Sequence, residues 1–179
     1  FIDSQKFNEL SGKKLVAIAP GTVWETKRLP EKYFADIINN IPDEYTVVII
    51  GGNSDSELSS RIVEMSDKDV INFAGKLSLP ESIYLISLCK LLISNDSAPT
   101  HMAMAAGTPA FTIYTSTIPE FGFYPYLHNS KYFSFSDLDC KPCGIHGHKK
   151  CPTGTFDCAH KLPFGKIIEE INNFLLHDN

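Results

Sequence analysis

The chain has 179 residues, 43% hydrophobic and 21% charged, and these values are typical of one globular domain. Its 16 basic and 21 acidic residues give a net charge of −5, which argues against a general nucleic-acid-binding protein, since such proteins use surplus cations to replace phosphate counterions. No apolar run approaches the roughly 18 residues that a membrane-spanning helix needs.

Strand and helix patterns alternate along most of the chain. Short apolar runs bounded by turn residues predict strands at 15–19, 46–50, 70–73, 91–94 and 110–114. Apolar residues at helical spacing predict helices from Pro30 to Pro42, at 54–65, from Ser78 to about Cys89, from about 98 to Gly107, and after Pro163. Residues 115–160 show neither pattern and are predicted to be irregular.

This alternation defines the expected fold class. Strands that are apolar on both faces and separated by helices predict an α/β fold, a doubly wound parallel sheet with helices on both faces. We expect five or six strands and five helices in a single domain over residues 1–179. Ligands of such sheets bind beyond the carboxyl ends of the strands, so the residues that follow each strand are the candidates for function.

The segment after the first strand carries two adjacent cations. Gly21 allows a tight turn, Thr22 offers a hydroxyl, and Lys27 and Arg28 precede a predicted helix N-terminus, which is a favourable setting for an anion. The alternative is a solvated loop with two surface cations.

The segment after the second strand contains two glycines and an acid. Gly51-Gly52 followed by a helix is typical of part of a nucleotide-binding turn, although the full G-x-G-x-x-G pattern is absent. Glu57 is a candidate acceptor for ribose hydroxyls. Alternatively, Ser54 or Asp55 simply caps the helix.

The segment after the fourth strand combines an acid with a helix start. The first amides of that helix, at Ser97 and Ala98, suit a phosphate. Asp96 suits a sugar hydroxyl, a cation such as Lys27, or a helix cap. His101 is either a ligand contact or a satisfied, partly buried structural histidine.

These segments, in this order, resemble the C-terminal half of lipopolysaccharide heptosyltransferases, which form glycosyltransferase family 9 and have the two-domain GT-B architecture with Rossmann-like halves. The resemblance covers nearly the whole chain. It rests on motifs at 19–22, 27–30, 50–52 with Glu57, 72–81, 94–101 and 105–109, with Tyr114.

The resemblance implies an inverting glycosyltransferase that moves a heptose from ADP-L-glycero-D-manno-heptose to the lipopolysaccharide inner core and requires no cofactor for catalysis. In that family the C-terminal domain binds the nucleotide-sugar donor, whereas the acceptor site and the catalytic base lie in an N-terminal domain that this chain lacks. We therefore expect donor binding without efficient transfer. The implied location is cytoplasmic, at the inner face of the cytoplasmic membrane, with at most peripheral membrane contact and no nucleic-acid partner.

The resemblance also implies roles for individual residues. Lys27 would contact the diphosphate, with Thr22 nearby, and Asp96 would meet the sugar, so these two charged residues form the expected catalytic pair. Arg28 would add positive charge against the leaving diphosphate.

Four further positions correspond to donor-binding positions of the family. Glu57 would face the ribose, and the amides of Ser97 and Ala98 would hold a phosphate. His101 occupies the histidine position of the family, with its role open.

Two other functions remain as alternatives. One keeps the fold with a UDP- or GDP-sugar as the substrate of a GT-B transferase or an epimerase. The other is a degenerate binding module that has lost the chemistry.

A cysteine-rich insertion is predicted at about 136–160, and we call this segment the cysteine lobe. Its thiols follow the spacing C-x2-C-x7-C-x6-C, and a structural zinc site, two disulfides and free thiols are all open interpretations. We expect a structural role remote from catalysis. The four cysteines are Cys140, Cys143, Cys151 and Cys158.

Overall fold

Six parallel strands form one sheet in the order β3-β2-β1-β4-β5-β6 in the computed structural model, which describes residues 2–122 and 124–177. The predicted domain also includes Phe1, Phe123, Asp178 and Asn179, which lie outside the described residues. The strands are β1 Lys14–Ala19, β2 Tyr45–Ile49, β3 Val70–Asn72, β4 Cys89–Asn95, β5 Ala110–Tyr114 and β6 Lys131–Ser134.

Helices cover both faces of the sheet. Strand β1 explains why, because Val16 and Ile18 pack into one core while Ala17 and Ala19 pack into the other. The first core includes side chains of α1, α2 and α6, and the second includes side chains of α3 and α4. The helices are α1 Glu31–Asn40, α2 Ser56–Met65, α3 Leu79–Ser87, α4 Ala98–Ala106, α5 Asp157–His160 and α6 Phe164–His177.

The predicted fold class, a doubly wound parallel sheet with helices on both faces, is confirmed, with corrections in two places. Residues 115–160 are not wholly irregular, because they contain the edge strand β6 and the short helix α5. Cys89 begins β4 rather than ending a helix, and burial there raises the pKa of its thiol to about 12.

The strand order places a topological switch point between β1 and β4. The chain moves from β1 outward to β2 and β3, and then returns to add β4 on the other side of β1. Loops after β1 and β4 therefore diverge and leave a crevice at the carboxyl end of the sheet, which is where ligands of such folds bind. Within the described ranges, no helix has the length and apolar character that crossing a membrane requires.

Candidate functional site

A cavity of about 590 Å³ opens at this switch point. The loops after β1 and β2 and the first turn of α4 form its walls, a size and position suited to a small-molecule ligand. Residues that line it include Thr22, Arg28, Gly52, Asp55, Ser97 and Ala98.

The loop after β1 is held in place by a fully buried amide. Asn95, the last residue of β4, accepts a hydrogen bond from the backbone N–H of Leu29 at 3.0 Å and donates to the carbonyl of Pro20 at 2.7 Å. Arg28 reinforces the loop by donating to the carbonyl of Thr22 at 2.9 Å. Sequence reasoning assigned Asn95 no role, because an amide that braces a distant loop leaves no periodic pattern.

Lys27 and Asp96 form a buried ion pair; neither lines the cavity, but their chain neighbours Arg28 and Ser97 do. The Lys27 Nζ atom lies 2.7 Å from Asp96 Oδ2, and the two residues are only 7% and 3% exposed. The interpretation of Lys27 as a surface cation is therefore wrong. Among the partners that the sequence suggested for Asp96, the structure shows Lys27. Thr117 also donates a hydrogen bond to Asp96 Oδ2, whereas the buried Oδ1 atom has no hydrogen-bond partner within residues 2–122 and 124–177.

The acid that lines the cavity is Asp55. Its Oδ2 atom accepts a hydrogen bond from the Gly52 N–H at 2.9 Å, and a Cβ atom at Gly21 would lie 2.4 Å from its carboxyl carbon. Only glycine therefore fits at position 21 with Asp55 in this position. The sequence predicted Asp55 only as a helix cap. Its position just after a strand that ends in Gly-Gly could have indicated a place in the site.

Glu57 lies outside the cavity lining. Its side chain is 90% exposed and lies 3.3 Å from Arg61, one turn further along α2. The structure thus places the predicted ribose-binding acid on the helix surface, and its contact with ribose remains a prediction.

The first turn of α4 faces the cavity. Ser97 is the N-cap and Ala98 is the first helical residue, so the unpaired amides of this end and the helix dipole are directed toward the site. The buried hydroxyl of Thr100 joins the helix to the sheet through Ser94 at 3.0 Å and Thr112 at 3.1 Å. His101 is exposed rather than partly buried, and its role stays a prediction.

The cysteine lobe contains thiols in different environments. Cys140 is exposed, Cys143 and Cys151 are half-buried, and burial raises the pKa of Cys158 to about 11. All of these cysteines are free thiols, and no three His, Cys, Asp or Glu side chains among the described residues form a group that could hold a metal ion. This arrangement does not fit a four-thiolate zinc site.

The lobe lies against the site. The expected position remote from catalysis is therefore wrong. Thr26 and His148 exchange two hydrogen bonds, and the Cys143 N–H donates to the Ser116 carbonyl at 2.9 Å. Lys141 donates to the Tyr114 carbonyl at 3.0 Å, and burial lowers its pKa to about 8. These long-range contacts hold the loops that carry Lys27 and the Thr117 partner of Asp96.

A parallel sheet with helices on both faces and a cavity at its switch point defines the class of doubly wound α/β domains with Rossmann-like topology. Within that class, residues 2–153 match Glycosyltransferase family 9 (heptosyltransferase), and the chain belongs to this family. The family resemblance stated from the sequence motifs is thereby confirmed.

Curated relatives agree with this assignment, and a solved structure shares the fold. Lipooligosaccharide heptosyltransferase 2 of Campylobacter jejuni subsp. jejuni serotype O:2 is 28% identical over 171 residues, covering 92% of this chain and 52% of that protein. Lipopolysaccharide heptosyltransferase 2 of Escherichia coli K12 is 25% identical over 181 residues, covering 97% and 50%. The structure of E. coli ADP-heptose LPS heptosyltransferase II has a TM-score of 0.79 at 24% identity, covering 98% of this chain and 50% of that one. The chain thus spans about half the length of the curated relatives it matches.

Proposed function

We propose that this chain is the donor-binding half of a glycosyltransferase that moves a heptose from an ADP-heptose to the lipopolysaccharide core. The observation that carries the proposal is the buried Lys27–Asp96 pair beside a cavity of about 590 Å³ at the switch point of a family 9 domain. Its relatives are lipopolysaccharide and lipooligosaccharide heptosyltransferases, and they supply the proposed sugar and acceptor class.

The chemistry calls for positive charge where the nucleotide leaves. Cleavage of the bond to the anomeric carbon places negative charge on the departing nucleoside diphosphate, so groups that stabilise this charge accelerate transfer. Arg28 and the first amides of α4, at Ser97 and Ala98, line the cavity, and Lys27 lies next to Arg28. Thr22 lies on the same wall of the cavity.

Asp96 is the proposed contact for the donor sugar. Its buried Oδ1 atom has no hydrogen-bond partner among the described residues, so a sugar hydroxyl that reached it would donate to it. Lys27 balances the charge of this carboxylate at 2.7 Å, so that the acid does not repel a phosphate bound nearby. Lys27 and Asp96 are therefore the proposed catalytic pair, and Glu57 and His101 remain predicted contacts at the edge of the donor.

The chain spans about half the length of its curated relatives, so the rest of the reaction is inferred. We infer that the acceptor and the catalytic base are held by an N-terminal domain, that the chain alone does not transfer efficiently, and that no cofactor takes part in catalysis. The inferred location is cytoplasmic, at the inner face of the membrane that holds the lipid-linked acceptor, with peripheral contact at most. No nucleic acid is an expected partner.

The structural zinc site at Cys140, Cys143, Cys151 and Cys158 stays a prediction that the arrangement of the thiols does not support. Elemental analysis of purified protein together with a thiol titration decides it. One equivalent of zinc would establish the site, whereas five free thiols without metal would exclude both zinc and disulfides.

Calorimetric titration of the chain with ADP, UDP and GDP, without added metal, tests the proposed function. We expect selective binding of ADP. Preference for UDP or GDP would move the substrate to another GT-B transferase or an epimerase, and absence of binding to all three would favour a degenerate module and contradict the proposal.

A further inference from the structure

Thr26, the residue before Lys27, is fixed at three backbone and side-chain atoms. Its N–H donates to the His148 carbonyl at 3.0 Å, and its Oγ1 atom accepts from the His148 N–H at 2.8 Å. Its carbonyl accepts from the Thr115 hydroxyl at 2.6 Å. Two of these three bonds come from the cysteine lobe, so the position of the backbone that carries Lys27 depends on that lobe.

The lobe also comes into direct contact with the Lys27 side chain. Gly147 has a φ of +78°, and a Cβ atom built on it would lie 2.9 Å from Thr26 Oγ1, 3.1 Å from Lys27 Cγ and 3.1 Å from Ser116 Oγ. These distances are shorter than ordinary carbon contacts, and no side chain fits between the lobe and Lys27. The approach of Gly147 to the Lys27 side chain therefore requires a glycine.

A lysine ammonium reaches its partners through a flexible four-carbon stem, so its position must be imposed by what surrounds the stem. Here Gly147 packs against that stem, while His148 holds the preceding residue. Displacement of a charged group by about 1 Å is enough to weaken a positioned catalytic contact substantially.

We propose that Gly147 and His148 of the cysteine lobe are positioning residues for Lys27 and thereby set how tightly the domain holds the diphosphate of its donor. This inference rests on the proposed function, because it takes the diphosphate as the ligand of Lys27. It gives the cysteine lobe a role in donor recognition.

The experiment compares ADP with AMP, which lacks the second phosphate. The ratio of the AMP to the ADP dissociation constant reports the diphosphate contact, and a general loss of stability does not change it. For Gly147→Ala we expect this ratio to fall about tenfold, as when a charge-assisted hydrogen bond is lost.

Gly154→Ala is the matched control. Gly154 lies in the same lobe with a φ of +75°, but a Cβ atom there would meet nothing within 4 Å. Both variants thus carry similar backbone strain, and only Gly147→Ala disturbs Lys27. We expect Gly154→Ala to keep the AMP-to-ADP ratio of the unsubstituted chain. An equal fall of this ratio in both variants would overturn the proposal.

A second pair of variants keeps the test decisive if Gly147→Ala fails to fold. Thr26→Val preserves the shape of the side chain but removes the acceptor for the His148 N–H, whereas Thr26→Ser retains it. We expect the ratio to fall in Thr26→Val and to recover in Thr26→Ser. An unchanged ratio in Thr26→Val would contradict the proposal.

A reference variant separates failure of this inference from failure of the proposed function. Lys27→Met combined with Asp96→Leu removes both charges together, so that no unpaired charge stays buried. If this variant retains the unsubstituted ratio, Lys27 is not the diphosphate ligand and both proposals fall. If it loses the preference for ADP while Gly147→Ala retains it, only the role of the lobe is overturned.

Discussion

The cavity and the cysteine lobe are neighbours that are organised in different ways. The cavity is formed by the ends of regular strands and by one helix terminus, so the sheet itself determines its position. The lobe is mostly irregular and is held by hydrogen bonds between residues more than 100 positions apart, such as Thr26 and His148. The charged pair lies where the two meet: the segments that follow β1 and β4 supply Lys27 and Asp96, and the lobe positions the segment that carries Lys27.

The largest loss of stability is expected when the Lys27–Asp96 pair is broken. Lys27→Met leaves Asp96 buried without its cation, and we expect a loss of about 3–5 kcal/mol in the free energy of unfolding, measured by urea denaturation. The double variant Lys27→Met with Asp96→Leu should recover most of that loss, because it leaves no buried charge.

An exposed pair of similar length is the control. Lys14 and Glu44 lie 2.6 Å apart, but their side chains are 60% and 49% exposed. Lys14→Met should cost far less stability than Lys27→Met, since solvent screens such exposed pairs. Equal losses at Lys14 and Lys27 would contradict the account of a buried, structurally required pair.

A smaller loss of stability is expected from a substitution in the cavity wall. Gly21→Ala places a methyl group 2.4 Å from the Asp55 carboxyl carbon, and such overpacking costs about 1–3 kcal/mol. Gly165→Ala, where a Cβ meets nothing within 4 Å, is the matched control and should not destabilise the domain. Thermal denaturation of the two variants measures the difference, and a stable Gly21→Ala would show that Asp55 moves freely.

The sequence predicted the cavity better than the lobe for a physical reason. Strand β5 was predicted at its observed bounds, 110–114, because burial on both faces leaves a local apolar run. The Lys27–Asp96 pairing could also be anticipated, because the ends of neighbouring parallel strands meet. The contacts of His148 and Gly147 could not, because they join segments that no periodicity relates, and the edge strand β6 is too short and exposed to give a signal.

The smallest loss of stability is expected at the start of helix α3, which lies in the regular part of the domain and not in the cysteine lobe. Ser78 and Glu81 form the capping box of α3, and Glu81 also pairs with Lys6 at 2.7 Å. Together these contacts, of which the Lys6 hydrogen bond is the largest, lower the pKa of Glu81 to about 2. A lowered folded-state pKa stabilises the domain above the unfolded value of about 4.5, and the contribution is lost as the pH falls toward 2.

Glu81→Gln should therefore lower the melting temperature at pH 7, and the difference from the unsubstituted chain should shrink steadily below pH 4.5. Thermal melts across this pH range measure it. A difference that does not depend on pH would show that the ionised carboxylate is not the stabilising group.

The central claim is that the donor diphosphate is bound at the junction of β1, α4 and the Lys27–Asp96 pair. A crystal structure of the chain with ADP tests it most directly. The account predicts adenosine in the cavity of about 590 Å³, with phosphate oxygens hydrogen-bonded to the first amides of α4 and to Lys27. ADP bound elsewhere on the domain, or a diphosphate directed into solvent away from α4 and Lys27, would contradict it.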